Sequence, residues 1–375
     1  MIKFEKVTKI YPGSEVKVVD ELDLHIKKGE ICVLVGASGC GKTTTLRLIN
    51  RMLDVTSGTI LVDEQDISTV DPIELRLDIG YVIQEIGLFP HYTIEHNIAT
   101  VPKEKKWDKE KISARVKEML ELMELDYSEY AKRKPSVLSG GQRQRVGVAR
   151  ALAADPPIML MDEPFGALDP ITRAKLQNEF LNIQSRLRKT IVFVTHDMNE
   201  AVKMGDKIAV MDKGKIAQFG TPHEILMNPA TMLVENLVGS NRVLKMFTLI
   251  KCTEAVRTGV TPIFSLETQR KEIEQHMAGG ALLDAHPVIG VVDGSNRPVG
   301  YIPLFKYSAD DKTPVEDRIE PPAKTVSAED TLFDALGILF STGQRGVFCT
   351  GDEGKALGLI TIADLFEAVK PDDGN

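Results

Sequence analysis

The sequence predicts an α/β protein in two parts: a larger domain on a parallel sheet over residues 1–240, then a smaller α/β domain over 241–370. Three observations predict this. A glycine-rich turn, Gly36 to Thr45 (GASGCGKTTT), joins the apolar run Ile31–Val35 to a helical apolar spacing beginning Leu46, Leu48, Ile49. Further buried-strand candidates, Ile158–Met161 and Thr190–Val194, alternate with helical stretches, the pattern that builds a parallel sheet with helices on its faces. From about residue 241 the density of such elements falls. A chain of 375 residues also exceeds one typical domain.

The turn has the G-x-x-x-x-G-K-[ST] spacing, with Gly36, Gly41, Lys42 and Thr43 in the defining places. Glycines let a backbone wrap closely around a phosphate chain, and their N–H groups with the helix N-terminus present positive partial charge. Ser38, Gly39, Cys40 and Thr44 complete the candidate cradle. Lys42 is placed to reach the β- and γ-phosphates, and the Thr43 hydroxyl to bind magnesium. An ordinary glycine-rich turn is the plain alternative, and the strand before it and helix after it argue against that.

Composition excludes several classes. Apolar content of 43% and charged content of 27% are ordinary for a globular protein, and the net charge of −8 argues against a nucleic-acid partner. No apolar run approaches the roughly 20 residues that span a bilayer, so a membrane role requires a partner. The N-terminus enters strand-like alternation at once, with no signal-peptide core. Cys32, Cys40, Cys252 and Cys349 form no C-x-x-C pair and no zinc spacing, which reads as reduced thiols of a cytosolic protein.

Along the chain, Tyr11-Pro12-Gly13 breaks the first strands. Tyr11 is either a platform for an adenine ring or a structural tyrosine at a strand end. Ser57–Asp63 reads as turn and strand, and Ile79–Gln84 as a strand ending in glutamine. Residues 108–125 show a helical stripe (Ile112, Val116, Met119, Leu120, Met123) that reads as core. LSGGQ, Leu138 to Gln142, opens a long helix; Ser139, Gly140, Gly141 and Gln142 there are an anion site or simply a capped helix start. Asp162 and Glu163 end the strand from Ile158. A carboxylate there is placed to hold magnesium, and its neighbour to take a proton from water. His196 follows the strand Thr190–Val194; a structural histidine is the plain reading, and its place at a strand end is what favours a catalytic one.

The ordered set GASGCGKT, Gln84, LSGGQ, IMLMDE, Ala167-Leu168-Asp169 and His196 resembles the nucleotide-binding subunit of an ABC transporter over about residues 1–240. The resemblance implies a P-loop NTPase domain with a helical subdomain, using ATP and Mg2+. It further implies a head-to-tail dimer with a second copy of the chain, in which Ser139, Gly140 and Gly141 reach the γ-phosphate in trans. Gln84 would sense magnesium and attacking water, Asp169 would lie at the dimer seam, His196 would contact the γ-phosphate, and Glu163 would be the general base. With no membrane helices fused, and with GLFPHYTIEHNI after Gln84 resembling bacterial importers, the implied partners are membrane-spanning permease subunits at the cytoplasmic face and, indirectly, a substrate-binding protein.

In the second part, VIGVVDGSNRPVGYIPLF (288–305) and GVFCTGDEGKALGLITIADLF (346–366) each read strand, turn, strand, helix start, about 60 residues apart, on either side of the polar connector 308–324. The pair resembles tandem CBS modules (about 245–308 and 314–370), which bind adenine nucleotides. Thr361 and Asp364 match the ribose-contact pattern of that family; they equally match a helix cap. The first unit has Pro303-Leu304-Phe305-Lys306 in the corresponding place. An importer ATPase with C-terminal CBS modules resembles the osmoprotectant systems for glycine betaine, carnitine or choline. In those relatives the modules answer to ionic strength or to a cyclic dinucleotide such as cyclic di-AMP. The short, mildly acidic tail Lys370–Asn375 favours nucleotide gating.

Two other classes compete. Repair and translation ATPases carry LSGGQ-like signatures, yet no sustained heptads lie between Lys42 and Leu138, and only one ATPase unit is present. A pure nucleotide-sensing module accounts for 245–370 and leaves Glu163 and His196 unexplained.

Overall fold

The computed structural model describes residues 1–83, 87–166, 168–258, 263–266, 288–303, 314 and 316–369. Gln84, Ala167, residues 304–306 and the tail from 370 lie outside the described residues. The chain divides into two compact units, Met1–Val238 and Gly239–Asn375.

In the first unit the strands are β1 (Ile2–Ile10), β2 (Lys17–Ile26), β3 (Ile31–Val35), β4 (Ser57–Val62), β5 (Gln65–Asp66), β6 (Ile79–Val82), β7 (Ile158–Asp162), β8 (Thr190–Thr195), β9 (Lys207–Asp212) and β10 (Lys215–Gly220). Six of them form one sheet in the order β10-β9-β3-β8-β7-β6, parallel throughout except for β10 at the edge. Every residue of β3, β7 and β8 is buried, so these strands are continuous apolar runs and not alternating ones, as a sheet covered on both faces requires. The second sheet, β2-β1-β4-β5, is antiparallel, and β2 alternates buried and exposed positions along its second half because only one face is covered.

Helix Lys42–Ile49 contacts β2, β7 and β8, and its buried Leu46, Leu48 and Ile49 share one core with Phe4, Ile26, Leu160 and Val194. The phosphate-loop helix is therefore held from both sheets. The stripe expected over 108–125 is the buried face of helix Lys109–Leu122, which packs on helix Gly140–Leu152. All four cysteines are buried and free, without a disulfide.

The second unit contains two three-stranded sheets of one design. In the first, β11 (Ile263–Ser265) runs parallel to β12 (Val288–Val292), which turns back antiparallel as β13 (Pro298–Pro303). In the second, β14 (Thr325–Ser327), β15 (Gly346–Thr350) and β16 (Ala356–Thr361) repeat the arrangement. The hairpin ladders coincide pair for pair at an offset of 58 residues, from Val288↔Pro303 and Gly346↔Thr361 down to the bulge before Val292↔Pro298 and Thr350↔Ala356. The internal repeat expected from the sequence is thus a repeat of register, with Thr361 at the position of Pro303. Val288, Val292 and Tyr301 of one sheet share a core with Phe348, Ala356 and Leu359 of the other. Helix Cys252–Thr258, which precedes the first sheet in the chain, buries Cys252 and Ala255 against Val326, Val347 and Leu365 of the second repeat.

Thr361 caps helix Ile362–Glu367. Its hydroxyl accepts the Asp364 N–H at 3.4 Å, while the Asp364 carboxylate accepts both the Thr361 N–H at 2.8 Å and the hydroxyl at 2.7 Å. Both residues are buried. Removing such a cap costs about 1 kcal/mol. Thr361→Ala is expected to lower stability by about that amount in thermal unfolding followed in the second unit, and Thr361→Ser, which keeps the hydroxyl, by a few tenths.

Candidate nucleotide site

The site is assembled at the carboxyl ends of three neighbouring strands, β3, β8 and β7, where ligands of open α/β sheets bind. After Val35 the chain enters the glycine turn. Gly36, Gly39 and Gly41 have φ of 156°, 81° and 108°. A Cβ on Gly36 would stand 2.2 Å from the Met211 carbonyl oxygen, and one on Gly41 2.5 Å from that of Val18. The turn can pass there only as glycine. Gly41 then serves as N-cap of helix Lys42–Ile49 with no side chain closing the helix end, which leaves its N–H groups facing outward for an anion.

Lys42 is only 6% exposed. Its ammonium donates to the carbonyls of Gly36 at 2.7 Å and Ala37 at 2.9 Å, so the charge is held within the loop that is to receive phosphate. Thr43 Oγ1 donates to Asp162 Oδ1 at 2.9 Å, joining the first turn of this helix to the end of β7. Asp162 is 5% exposed, and burial pushes its carboxyl above the usual range; the Thr43 hydroxyl and then the Arg47 charge act in the other direction. A hydroxyl and a carboxylate touching in a nearly dry site are hard oxygen donors suited to Mg2+. Among the described residues no group of three or more His, Cys, Asp or Glu side chains is gathered for a metal, so this pair would supply only part of the ligands of such a cation.

Glu163 follows at φ 44°, a left-handed conformation that costs a non-glycine residue on the order of 1 kcal/mol. Its N–H donates to Val194 of β8 at 3.0 Å, which holds the backbone in that turn. The side chain lies beside His196, with 3.2 Å between Oε2 and Nδ1, and the imidazole is 64% exposed on the other side. The strand end thus carries a carboxylate aligned by a ring that is still open to a ligand. Tyr11, 36% exposed, brings its hydroxyl to 3.2 Å from Thr44 Oγ1, so its ring flanks the phosphate turn.

The structure therefore brings Gly36–Thr44, Asp162, Glu163, His196 and Tyr11 to one edge. Ser139 and Gln142 are engaged elsewhere, in a reciprocal cap of helix Gly140–Leu152, with Gln142 Nε2 donating to Tyr130. A Cβ on Gly141 would stand 2.9 Å from Thr172 Cγ2, so a side chain there would require Thr172 to shift. Asp169 is exposed and caps helix Pro170–Leu187, and the Thr172 N–H it accepts holds its carboxyl below the usual range. Gln84 lies outside the described residues. Absent from the sequence reading were the loop carbonyls that hold Lys42 and a buried carboxylate, Glu200, next to the His196 turn. Neither has a motif, because backbone acceptors leave no trace in side-chain patterns and a lone helical glutamate is usually solvated.

A phosphate turn, a hydroxyl–carboxylate pair and a carboxylate–imidazole pair at one sheet edge are what an ATP-hydrolysing cassette requires. The ABC transporter family model matches residues 19–166, and a CBS domain model matches 315–371. The glycine betaine/carnitine/choline transport ATP-binding protein OpuCA of Bacillus subtilis is 44% identical over 98% of this chain and 96% of its own. The osmoprotectant import ATP-binding protein OsmV of Salmonella typhimurium is 41% identical over 98% of this chain and 97% of its own. Among solved structures, the dimeric ATP-binding cassette MJ0796, in a post-hydrolysis state bound to ADP and Pi, matches with a TM-score of 0.54 and 35% identity, covering 59% of this chain and 99% of that one. The chain belongs to the family of ATP-binding proteins of osmoprotectant ABC importers. No helix of the described residues is long and apolar enough to cross a membrane.

The glycines give a graded test. Gly41→Ala meets both the Val18 carbonyl and an unfavourable φ, whereas Gly39→Ala meets nothing within 4 Å and carries only the backbone strain. In thermal unfolding of the full-length chain, Gly39→Ala is expected to cost about 1–2 kcal/mol, the left-handed strain alone, and Gly41→Ala well beyond that.

Proposed function

We propose that this chain hydrolyses ATP to drive uptake of quaternary amine osmoprotectants such as glycine betaine, carnitine or choline, and that its second unit gates transport by binding an adenine nucleotide. The observation that carries the first half is the Thr43–Asp162 and Glu163–His196 pairing at one sheet edge. The solute class follows from the relatives named for glycine betaine, carnitine, choline and osmoprotectant transport, whose likeness runs through both units.

In this reading the glycine turn and Lys42 bind the phosphates, and Tyr11 lies under the adenine. Thr43 and Asp162, with Gln84, hold magnesium, which neutralises charge on the phosphates. Glu163 takes the proton of the attacking water. His196 keeps that carboxylate aimed while its exposed face meets the γ-phosphate. Ser139 is exposed and Gly140, Gly141 and Gln142 are half-buried at a helix start, which fits closure of the nucleotide by a second copy, with Asp169 at the seam. The surface for the permease subunits is the aromatic cluster after Gln84. Phe89 and Tyr92 stay about 40% exposed, and their rings pack with each other and with His91, which gives a membrane subunit a firm apolar seat. A substrate-binding protein delivers the solute to that permease.

Glu163→Gln tests the catalytic assignment. Turnover is expected to fall by about 10² to 10⁴ while ATP binding persists, read as single-turnover hydrolysis against retained nucleotide. Native turnover in that variant would withdraw Glu163 as the base.

For the second unit, the full-length chain is titrated calorimetrically with cyclic di-AMP and, as control, cyclic di-GMP. Binding of the adenine ligand alone, lost in Asp364→Ala and in Thr361→Ala but kept in Thr361→Ser, supports gating at that hairpin end. Absence of binding would leave the pair as the helix cap alone. A coupling of about 1–3 kcal/mol between the units is enough for regulation.

A further inference from the structure

Beside His196 lies a buried carboxylate that the phosphate chemistry leaves unused. Glu200, on helix Met198–Met204, is 6% exposed. Its Oε2 accepts the Thr195 hydroxyl at 2.6 Å, and its Oε1 accepts Gln177 Nε2 at 3.1 Å. Thr195 Oγ1 in turn accepts the Asp197 N–H at 3.0 Å. One carboxylate, through one hydroxyl, therefore ties down the residues on both sides of His196. On the far side, Arg173 Nε stands 3.8 Å from Glu200 Oε1 and makes no hydrogen bond, while Arg173 Nη2 donates to the Leu168 carbonyl at 3.1 Å. Gln177 and Arg173 both lie on helix Pro170–Leu187, whose cap is Asp169. The turn bearing His196 and the segment leading from Glu163 to Asp169 are thus referred to the same anion.

We propose that Glu200 is a positioning residue for ATP hydrolysis, fixing the Thr195–Asp197 turn to helix Pro170–Leu187 so that the His196 ring stays against Glu163. The proposal rests on the reading that Glu163 and His196 act on the attacking water. The residue type is demanded by its neighbours. A hydroxyl, an amide NH2 and a guanidinium converge, all donors, and only a carboxylate offers two acceptor oxygens. A glutamine would satisfy the Thr195 hydroxyl and then turn an NH2 group toward the NH2 of Gln177 or toward Arg173. Burial pushes the Glu200 carboxyl above its usual range, and the Thr195 hydroxyl opposes the shift.

The test measures turnover, ATP affinity and thermal midpoint on the full-length chain for Glu200→Gln, His196→Ala and the double variant. A displacement of about 1 Å in an aligned catalytic group can cost about 10²-fold. Glu200→Gln is therefore expected to lower kcat roughly 10- to 100-fold with ATP affinity within about twofold. Combined with His196→Ala it should cost nothing further, because residues acting as a unit are not additive. Thr195→Val should follow Glu200→Gln, with Thr195→Ser recovering most of the loss; this pair serves if Glu200→Gln does not fold. Losses that multiply in the double variant, or that track thermal midpoint and ATP affinity, would make Glu200 a packing residue and overturn the proposal. Native turnover in His196→Ala would instead strike the underlying reading. A deficit in His196→Ala with none in Glu200→Gln strikes this proposal alone.

Discussion

The parallel ladder of β3, β8 and β7 is the constraint on which the site depends. Val35 pairs with Thr195, and Asp162 with Val194, so all three strands end within a residue of one another. The Glu163 N–H bond to Val194 extends the ladder one step beyond β7. Phosphate turn, cation pair and histidine are therefore neighbours because three strand ends are level. Because side chains alternate along a strand, a shift of one residue in β8 would carry Thr195 to the opposite face and take the Glu200 tie with it. Complete burial of these strands makes that slip costly, and the core that fixes the chemistry is the one that fixes the fold.

The same edge collects charges that a dry interior disfavours. Lys42, Asp162 and Glu200 are each nearly inaccessible, and each is answered by dipoles or donors: loop carbonyls for Lys42, the Thr43 hydroxyl for Asp162, the Thr195 hydroxyl and Gln177 amide for Glu200. Low local dielectric strengthens these contacts and raises the penalty of leaving any one unmade. Nucleotide and magnesium would enter a place where opposite charges are already held apart by short hydrogen bonds, and phosphate can take over the Lys42 ammonium from two carbonyls without new burial. Preorganisation of this kind lets electrostatics act on the reacting phosphate with little rearrangement.

How much of this could be read from the chain follows from the range of each interaction. The phosphate turn was legible because its geometry is local: Gly36 and Gly41 are demanded by backbone clashes, and the flanking apolar runs announce strand and helix. Asp162, Glu163 and His196 were legible as strand ends, since a buried strand has a sharp apolar boundary. The sequence leaves Tyr11 open between two roles, because its contact with Thr44 joins residues 33 apart, which no periodicity encodes. The Glu200 network was illegible for a related reason. It joins Thr195, Gln177 and Arg173 across two helices and a strand, and each residue alone has a plain reading as a surface or core side chain.

The two repeats of the second unit show how one position can separate a shared fold from a shared site. Their hairpins match in register down to the bulge, so the backbone that presents residue 303 is the backbone that presents residue 361. Thr361 contributes an N–H and a hydroxyl, both taken by Asp364. Pro303 has neither, because its ring nitrogen carries no hydrogen and its side chain no donor. The reciprocal cap, and any ribose contact built on it, can therefore form at the end of β16 and not at the end of β13. The ladder's energy lies in backbone bonds and apolar faces, which both repeats supply, whereas the cap depends on one side chain and one N–H. Among the described residues, then, only the hairpin ending at Thr361 carries this cap, although both hairpins share the ladder that presents it.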